Sequence, residues 1–119
     1  MAIASVLTNS FKAELLKGLH SFDTSGATPA GNVFKIALYN SSADLGTTTT
    51  AYTTTEELAT ATGYTRPGNT LTNTGVGVST VTSFTDFSDT SWTSASFTAR
   101  GCLIYNSSTI TGLTTDAAV

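Results

Sequence analysis

The sequence predicts a mainly β protein, a small antiparallel β-sandwich or barrel (a jelly roll being one form of it) with one short amphipathic helix near the amino terminus. Three observations predict this class. Threonine accounts for 26 of the 119 residues, and its β-branched side chain suits a pleated strand better than a helix. Short runs of alternating polarity recur between Gly, Pro, Asn and Asp. Helical spacing occurs once, before these runs, and the length indicates a single domain.

The amino-terminal residues predict two elements, an extended arm at 1–8 and a helix at about 9–22. The arm, "MAIASVLT", is apolar and has no predicted partner inside the β-rich domain of residues 9–119. In "NSFKAELLKGLHSF", one helical face carries Phe11, Leu15, Leu16 and Leu19. Asn9 or Ser10 is the expected N-cap. Such a short helix needs its apolar stripe covered, so we expect that face to be buried.

The remaining chain predicts five or six strands at spacings of 8–12 residues, after a loop at 23–32. Residues 33–39 alternate between the two faces of a half-buried strand. Residues 47–58 contain few apolar residues and are interpreted as either a short strand or an extended surface segment. Pro67-Gly68 predicts a type II turn, with proline at its first corner and glycine at its second. Further strands are predicted at 75–84, 91–101 and 102–106.

Two strand ends share one sequence, "LYNSS" at 38–42 and "IYNSS" at 104–108. Asn and Ser side chains bond to backbone groups just ahead of them and thereby start turns. We therefore interpret both copies as strands that end in Asx turns, with a glycine (Gly46 or Gly112) a few residues later where the chain turns away. The two Asn-Ser-Ser matches to a glycosylation acceptor are weak beside this interpretation.

Composition and charge exclude several classes of partner. Charged residues are 11% of the chain, the net charge is −3, and the five basic residues are scattered. Nucleic-acid binding requires clustered Lys and Arg, so neither a nucleic-acid nor a membrane-surface partner is expected. No apolar run is long enough to span a bilayer, and the amino terminus lacks the features of a signal peptide. The single cysteine excludes an internal disulfide.

Catalytic candidates are few, and their spacing predicts no active site. His20 would lie at the end of the helix, where a positive charge complements the dipole. Cys102 lies in an apolar strand and is expected to be a small buried hydrophobe. No catalytic residue and no cofactor are predicted.

The carboxylates do not predict a metal site either. Asp86 and Asp89 supply too few oxygens for calcium and are interpreted as turn residues. Glu56 and Glu57 are adjacent, so on an extended segment they would face opposite sides.

Four segments carry a family resemblance that covers nearly the whole chain: "FKAELLKGLHSF", "FKIALYNSSADLG", "AYTTTEELATATGYTRPGNTLT" and "WTSASFTARGCLIYNSS". Together they resemble small structural proteins in the virions of tailed bacteriophages. Such sequences usually continue with another strand or two where this one stops at "TTDAAV". The family has no enzymatic motif to carry over to numbered positions, and the chain is not expected to be an enzyme.

The resemblance implies a capsid decoration (cement) protein, made in the host cytoplasm and bound to the outer surface of the virion head. Its expected partners are the major capsid protein and other copies of itself, in a dimer or trimer. Many identical weak contacts would stabilise the head through avidity. The expected contact residues lie in the arm and in the threonine run: Ile3, Val6, Leu7, Thr50, Tyr52 and Thr53.

A tail or fibre component is the alternative, with a receptor- or carbohydrate-binding role. Aromatic rings stack on sugar rings, and the candidates for such stacking are Tyr52, Tyr64 and Trp92. Single aromatics in a small β-domain more often pack in the core or at its rim.

Overall fold

Two antiparallel β-sheets and one short helix make up the fold. A computed structural model describes residues 2–24, 31–61 and 63–119. The elements in chain order are α1 Asn9–Leu16, β1 Phe34–Tyr39, β2 Asn69–Thr70, β3 Asn73–Ser79, β4 Thr82–Phe87, β5 Gly101–Asn106 and β6 Ala117–Ala118. One sheet has the order β2-β1-β5-β6, and the other is the β3–β4 hairpin. The predicted class, mainly β with a short amino-terminal helix, is confirmed.

The core is built on the β1–β5 pair, which runs from Phe34 opposite Asn106 to Tyr39 opposite Gly101. Both strands were predicted, because their apolar residues are dense enough to pack on a neighbour. The buried core residues of the two strands are Phe34, Ala37, Leu38, Tyr39, Leu103 and Tyr105. Each large side chain buried in this way contributes about 1.5–3 kcal/mol to folding.

Helix α1 is shorter than predicted and buries a different face. Its N-cap is Thr8, one residue before the expected positions, and the Thr8 hydroxyl accepts a bond of 3.1 Å from the N–H of Phe11. The helix ends at Leu16, and Gly18 follows with a φ of +73°. Phe11 is buried as expected, but Glu14 is buried with it while Leu16 is 91% exposed. The predicted apolar stripe is therefore wrong at Leu15 and Leu16, which are exposed.

The predicted strand at 75–84 is wrong, because the chain reverses within it. Strands β3 and β4 pair from Asn73–Phe87 to Ser79–Thr82, and the two-residue loop Thr80-Val81 joins them. Thr80 has a φ of +54°, which such loops require and which Gly or Asn usually supplies. The predicted strand at 91–101 is also absent. Residues 88–100 are turns and irregular backbone, and regular pairing resumes at β5.

Of the two interpretations of residues 47–58, the extended surface segment is correct. The segment makes only isolated pairs, Ala51 with Ala117 and Glu57 with Tyr39. The turn near Pro67 is displaced by one residue from its predicted position. Its closing bond runs from the N–H of Gly68 to the C=O of Thr65, and a cis bond precedes Pro67. Part of the predicted loop at 23–32 lies outside the described residues.

The repeated endings are Asx turns, as interpreted from the sequence. The Asn40 side-chain oxygen accepts a bond of 2.7 Å from the N–H of Ser42. The Asn106 oxygen accepts the equivalent bond of 3.0 Å from Ser108. The repeat is therefore local backbone chemistry at two strand ends.

Candidate functional site

The arm is joined to the domain near Ile3 and at Thr8, contrary to the expectation that it has no partner there. Ile3 pairs with Leu45, the N–H of Ala4 bonds to the Leu45 carbonyl at 2.9 Å, and the Thr8 hydroxyl donates to the Ala118 carbonyl at 3.1 Å. Ile3 packs so closely on Gly101 that a Cβ there would lie 2.8 Å from an Ile3 methyl. The arm is fixed at both ends by the core.

Between these anchors, the predicted contact residues Val6 and Leu7 are exposed. They line one side of a groove of about 410 Å³, whose other side is the outer face of β5 at Cys102 and Ile104. The Cys102 thiol is exposed, so its expected burial is wrong. Successive strand residues face opposite sides, and Leu103 takes the core side.

The threonine run lies beside the arm, which brings together two segments that the sequence placed 40 residues apart. Thr50 and Thr53 are exposed and share a shallow depression with Ala2 and Ala4. Two backbone bonds hold the run to the end of the chain, from Tyr52 N–H to the Asp116 carbonyl and from Ala118 N–H to the Thr50 carbonyl. We call the exposed surface made by Val6, Leu7, Thr50 and Thr53 the arm face.

Tyr52 is half-buried and packs against the core, so it is left outside the arm face. It stacks on Tyr105 with ring centroids 4.6 Å apart, and its hydroxyl donates to Glu57 Oε2 at 2.6 Å. Tyr64 is 1% exposed, and its hydroxyl donates to Glu57 Oε1 at 2.7 Å while accepting from the N–H of Leu38. Sugar stacking on Tyr64 is therefore wrong, because that ring is buried. Tyr52 is half-buried with one face on Tyr105, and its stacking role stays a prediction.

These tyrosines surround a buried carboxylate, and we call Tyr39, Tyr52, Tyr64 and Glu57 the tyrosine cluster. The Glu57 side chain is fully buried, and Arg66 Nε lies 3.4 Å from it at the surface. The neighbouring Glu56 is exposed, as the opposite-sides interpretation predicts. Tyr52 and Tyr64 donate to Glu57, whereas the Tyr39 hydroxyl donates to the Thr53 carbonyl at 2.7 Å. Each hydroxyl has a partner, and such satisfied buried networks rigidify a fold.

Burial raises the pKa of every tyrosine in the chain. It brings the pKa of Tyr39 to about 12. For Tyr52 and Tyr64, burial is the largest cause and the Glu57 carboxylate adds to it. Burial also raises the pKa of Tyr105. These hydroxyls are therefore protonated donors at neutral pH, suited to structure and not to proton abstraction.

Trp92, the third stacking candidate, lies half-buried at the edge of this region. Its ring is 6.3 Å from Tyr64 and 6.5 Å from Phe97, edge-on to the latter. The ring therefore serves as packing between the irregular 88–100 segment and the tyrosine cluster.

A second polar cluster surrounds His20, which the sequence placed at a helix end. His20 lies beyond α1 and is buried, with Nε2 donating to Glu14 Oε2 at 3.1 Å and Nδ1 accepting from Asn106 Nδ2 at 3.0 Å. The Asn106 amide also donates to Asn32, which fixes its orientation. Both ring nitrogens are occupied, so neither can act as a base. The cluster ties α1 to the end of β5.

Glu14 is held ionised within this cluster. Burial acts to raise its pKa, but bonds from Thr114 and His20 outweigh burial, and the pKa lies below its usual value of 4.5. The Thr114 hydroxyl donates to Glu14 Oε1 at 2.8 Å. This bond spans 100 residues and has no sequence signature.

The described residues contain neither a cluster of metal ligands nor a membrane-spanning helix. No group of three or more potential ligands (His, Cys, Asp or Glu) lies close enough there to hold a metal ion. Asp86 lies within strand β4, so its interpretation as a turn residue is wrong, and its side chain accepts a bond from the N–H of Phe87. Within the same residues, no helix has the length and apolarity needed to cross a bilayer.

The chain was compared with protein-family models, curated proteins and solved structures, and none of them matches it.

Proposed function

We propose that this protein is a structural component of a bacteriophage virion, a decoration protein that binds the outer surface of the head and stabilises the shell. The four sequence segments that resemble small virion proteins support the phage context. The major capsid protein is the proposed main partner, and other copies of the chain are the second. The proposed location is the head surface, after synthesis in the host cytoplasm.

The arm face is the observation that carries this proposal. Val6 and Leu7 are exposed apolar residues on a segment whose backbone is fixed by the Ile3–Leu45 pair and by Thr8. A contact surface that is already ordered loses little conformational entropy on binding. The adjacent Thr50 and Thr53 hydroxyls are exposed, so they would extend the contact with hydrogen bonds. Repetition over a symmetric shell would multiply such a modest contact into avidity.

The first test is binding to purified heads that lack the protein. The variant Val6→Asp/Leu7→Asp places two charges in the proposed interface and is expected to lower head binding at least about tenfold. Binding is measured by co-sedimentation, and circular dichroism checks that the fold is retained. Deleting residues 1–8 is a poorer test, because it also removes Ile3 and Thr8 from the domain.

Val33→Asp is the matched control, since Val33 is similarly exposed but lies outside the arm face. It is expected to bind heads like the unmodified chain. Undiminished binding of the double variant would remove the arm face from the interface, and equal losses in both variants would indicate a non-specific effect of added charge.

A further inference from the structure

Strand β6 covers only one end of the neighbouring strand β5. It pairs with Tyr105 and Asn106, whereas β5 begins at Gly101. On its other side, β5 pairs with β1 along its whole length. Within the described residues, segment 101–103 of β5 therefore has no strand neighbour on the side that faces away from β1. We call this segment the open edge.

The backbone groups of Cys102 point out of the open edge. The bonded pairs of an antiparallel ladder fall on every second residue. The Ser107 N–H bonds to the Val33 carbonyl at 2.9 Å, so the odd-numbered residues of β5 bond to β1. Cys102 and Ile104 point the other way, where the Ile104 carbonyl accepts a bond of 2.9 Å from the N–H of Val119. The N–H and C=O of Cys102 have no hydrogen-bond partner among the described residues.

The open edge lies in the groove that the arm borders. Val6 and Leu7 of the arm face line the groove, and Arg100 lines it just before β5 begins. Arg100 is exposed, and its guanidinium forms no ion pair with the described residues. The groove thus combines apolar side chains with a free N–H, a free C=O and an unpaired cation.

This combination fits an extended polypeptide segment. A strand added at a sheet edge pairs its own backbone with the free N–H and C=O, and its alternate side chains contact the walls. A carboxylate on that segment would form a charge-assisted bond with Arg100. We propose that the groove binds an extended segment of the major capsid protein, which adds to β5 as a strand and places a carboxylate beside Arg100. The identity of this partner rests on the proposed function.

A second copy of the chain fits the groove less well than a capsid segment does. Each strand of the chain already lies in one of its two sheets, so a second copy has no single strand to donate. The arm stands across the groove from β5. An edge strand of a second copy would therefore bring its own neighbouring strand against the arm. A capsid segment on the arm face has only to continue into the adjoining groove.

Proline at position 102 tests the backbone pairing, because it removes the N–H that the added strand would use. Since that N–H does not bond to β1, Cys102→Pro is expected to retain the β1–β5 ladder. Binding to heads that lack the protein is expected to fall at least about tenfold. Co-sedimentation measures binding, and circular dichroism checks the fold. Cys102→Val is the matched control, which keeps the N–H and is expected to bind like the unmodified chain.

Arg100→Gln tests the carboxylate on the capsid segment. Head binding is expected to fall about two- to fivefold, the loss typical of an exposed ion pair. Undiminished binding would show that no carboxylate pairs with Arg100 and would overturn that part of the proposal.

Labelling of Cys102 tests the same site in the unmodified chain. It is the only cysteine, so a maleimide reports on this position alone. The exposed thiol is expected to react at least about ten times more slowly on heads than in the free chain. Equal labelling rates, or a folded Cys102→Pro that binds like Cys102→Val, would overturn the inference while head binding itself persists.

Two further outcomes concern the partner. Protection of Cys102 in the concentrated free chain, without heads, would identify a second copy as the occupant and overturn the choice of the capsid protein. Failure of the unmodified chain to bind heads would overturn the proposed function and this inference together.

Discussion

At the scale of residues, the two glutamates at 56 and 57 show how one polar side chain comes to organise a core. Both were expected to face opposite sides, but only the structure identifies which one is buried. Glu57 accepts hydroxyl bonds from Tyr52 and Tyr64, and Tyr64 follows it by seven residues. No periodicity in the sequence signals such a network, because its members come from irregular backbone.

Glu57→Gln is expected to lower the free energy of unfolding by about 2–3 kcal/mol, because hydrogen bonds to a charged acceptor are replaced by weaker ones in a buried site. Urea unfolding followed by circular dichroism measures this loss. Glu56→Gln is the adjacent control and is expected to change stability by less than about 0.5 kcal/mol. Equal effects of the two substitutions would show that the network does not stabilise the fold.

The lowered pKa of Glu14 predicts that the folded protein loses stability at acid pH. Its pKa is lower in the folded state than its usual 4.5, so its ionised form stabilises the fold. That contribution is fully present above about pH 4.5 and is lost as the pH falls through the folded pKa. In Glu14→Gln the urea midpoint is therefore expected to change less with pH below 4.5 than in the unmodified chain. Parallel pH profiles for the two proteins would contradict this assignment.

At the scale of elements, the sequence predicts strands well where apolar residues are dense. It predicts poorly those features that depend on contacts between distant residues. β1 and β5 were predicted because their apolar runs are continuous. The hairpin was missed because Thr80-Val81 lacks the Gly or Asn that normally identifies such a loop. The helix was predicted, but its buried face was not, because Glu14 is buried by partners as distant as Thr114. The two-residue strand β6 carries no signal of its own.

Among the candidate contact residues, the sequence predicted exposure correctly for Val6, Leu7, Thr50 and Thr53. It did not predict that the arm is fixed to the domain. That depends on pairing between Ile3 and Leu45, which are 42 residues apart. The exposed valines of the β3–β4 hairpin, Val76, Val78 and Val81, were not predicted to lie near one another, since their placement depends on the missed chain reversal.

Gly68 is the backbone position where one added carbon should disrupt an element. Its φ is +91°, and a Cβ there would lie 2.0 Å from the Ile36 carbonyl oxygen in the middle of β1. Gly68→Ala is therefore expected to cost more than about 2 kcal/mol, from strain and a displaced strand. Gly46→Ala is the control, because nothing lies within 4 Å of its added carbon. Thermal unfolding compares the two, and similar midpoints would contradict the close approach at Gly68.

At the scale of the whole molecule, ionisation of the four tyrosines is coupled to unfolding of the protein. Because burial raises their pKa values, with Tyr39 at about 12, folding keeps them protonated. This stabilisation is fully present below pH 10, the usual tyrosine pKa, and declines as the pH rises from 10 towards 12. We expect tyrosinate absorbance to appear together with the loss of circular dichroism. Ionisation with a midpoint near 10 in a protein that remains folded would contradict the burial of these rings.

The proposed virion role would require a rigid molecule that presents the arm face to the shell. The tyrosine cluster fixes segment 50–58 against β1, and the His20 cluster fixes α1 against β5. The arm face lies on backbone that is bonded to both the core and the chain end. Its stiffness therefore derives from contacts that span most of the sequence.

The most direct measurement of the proposed function is the location and copy number of the protein on purified virions. Gold-labelled antibodies would show its position, and quantitative mass spectrometry against the major capsid protein would count its copies. The proposal predicts labelling over the head, with copies in proportion to the capsid protein. Labelling confined to the tail, with a few copies per particle, would contradict the decoration role and indicate a tail or fibre component.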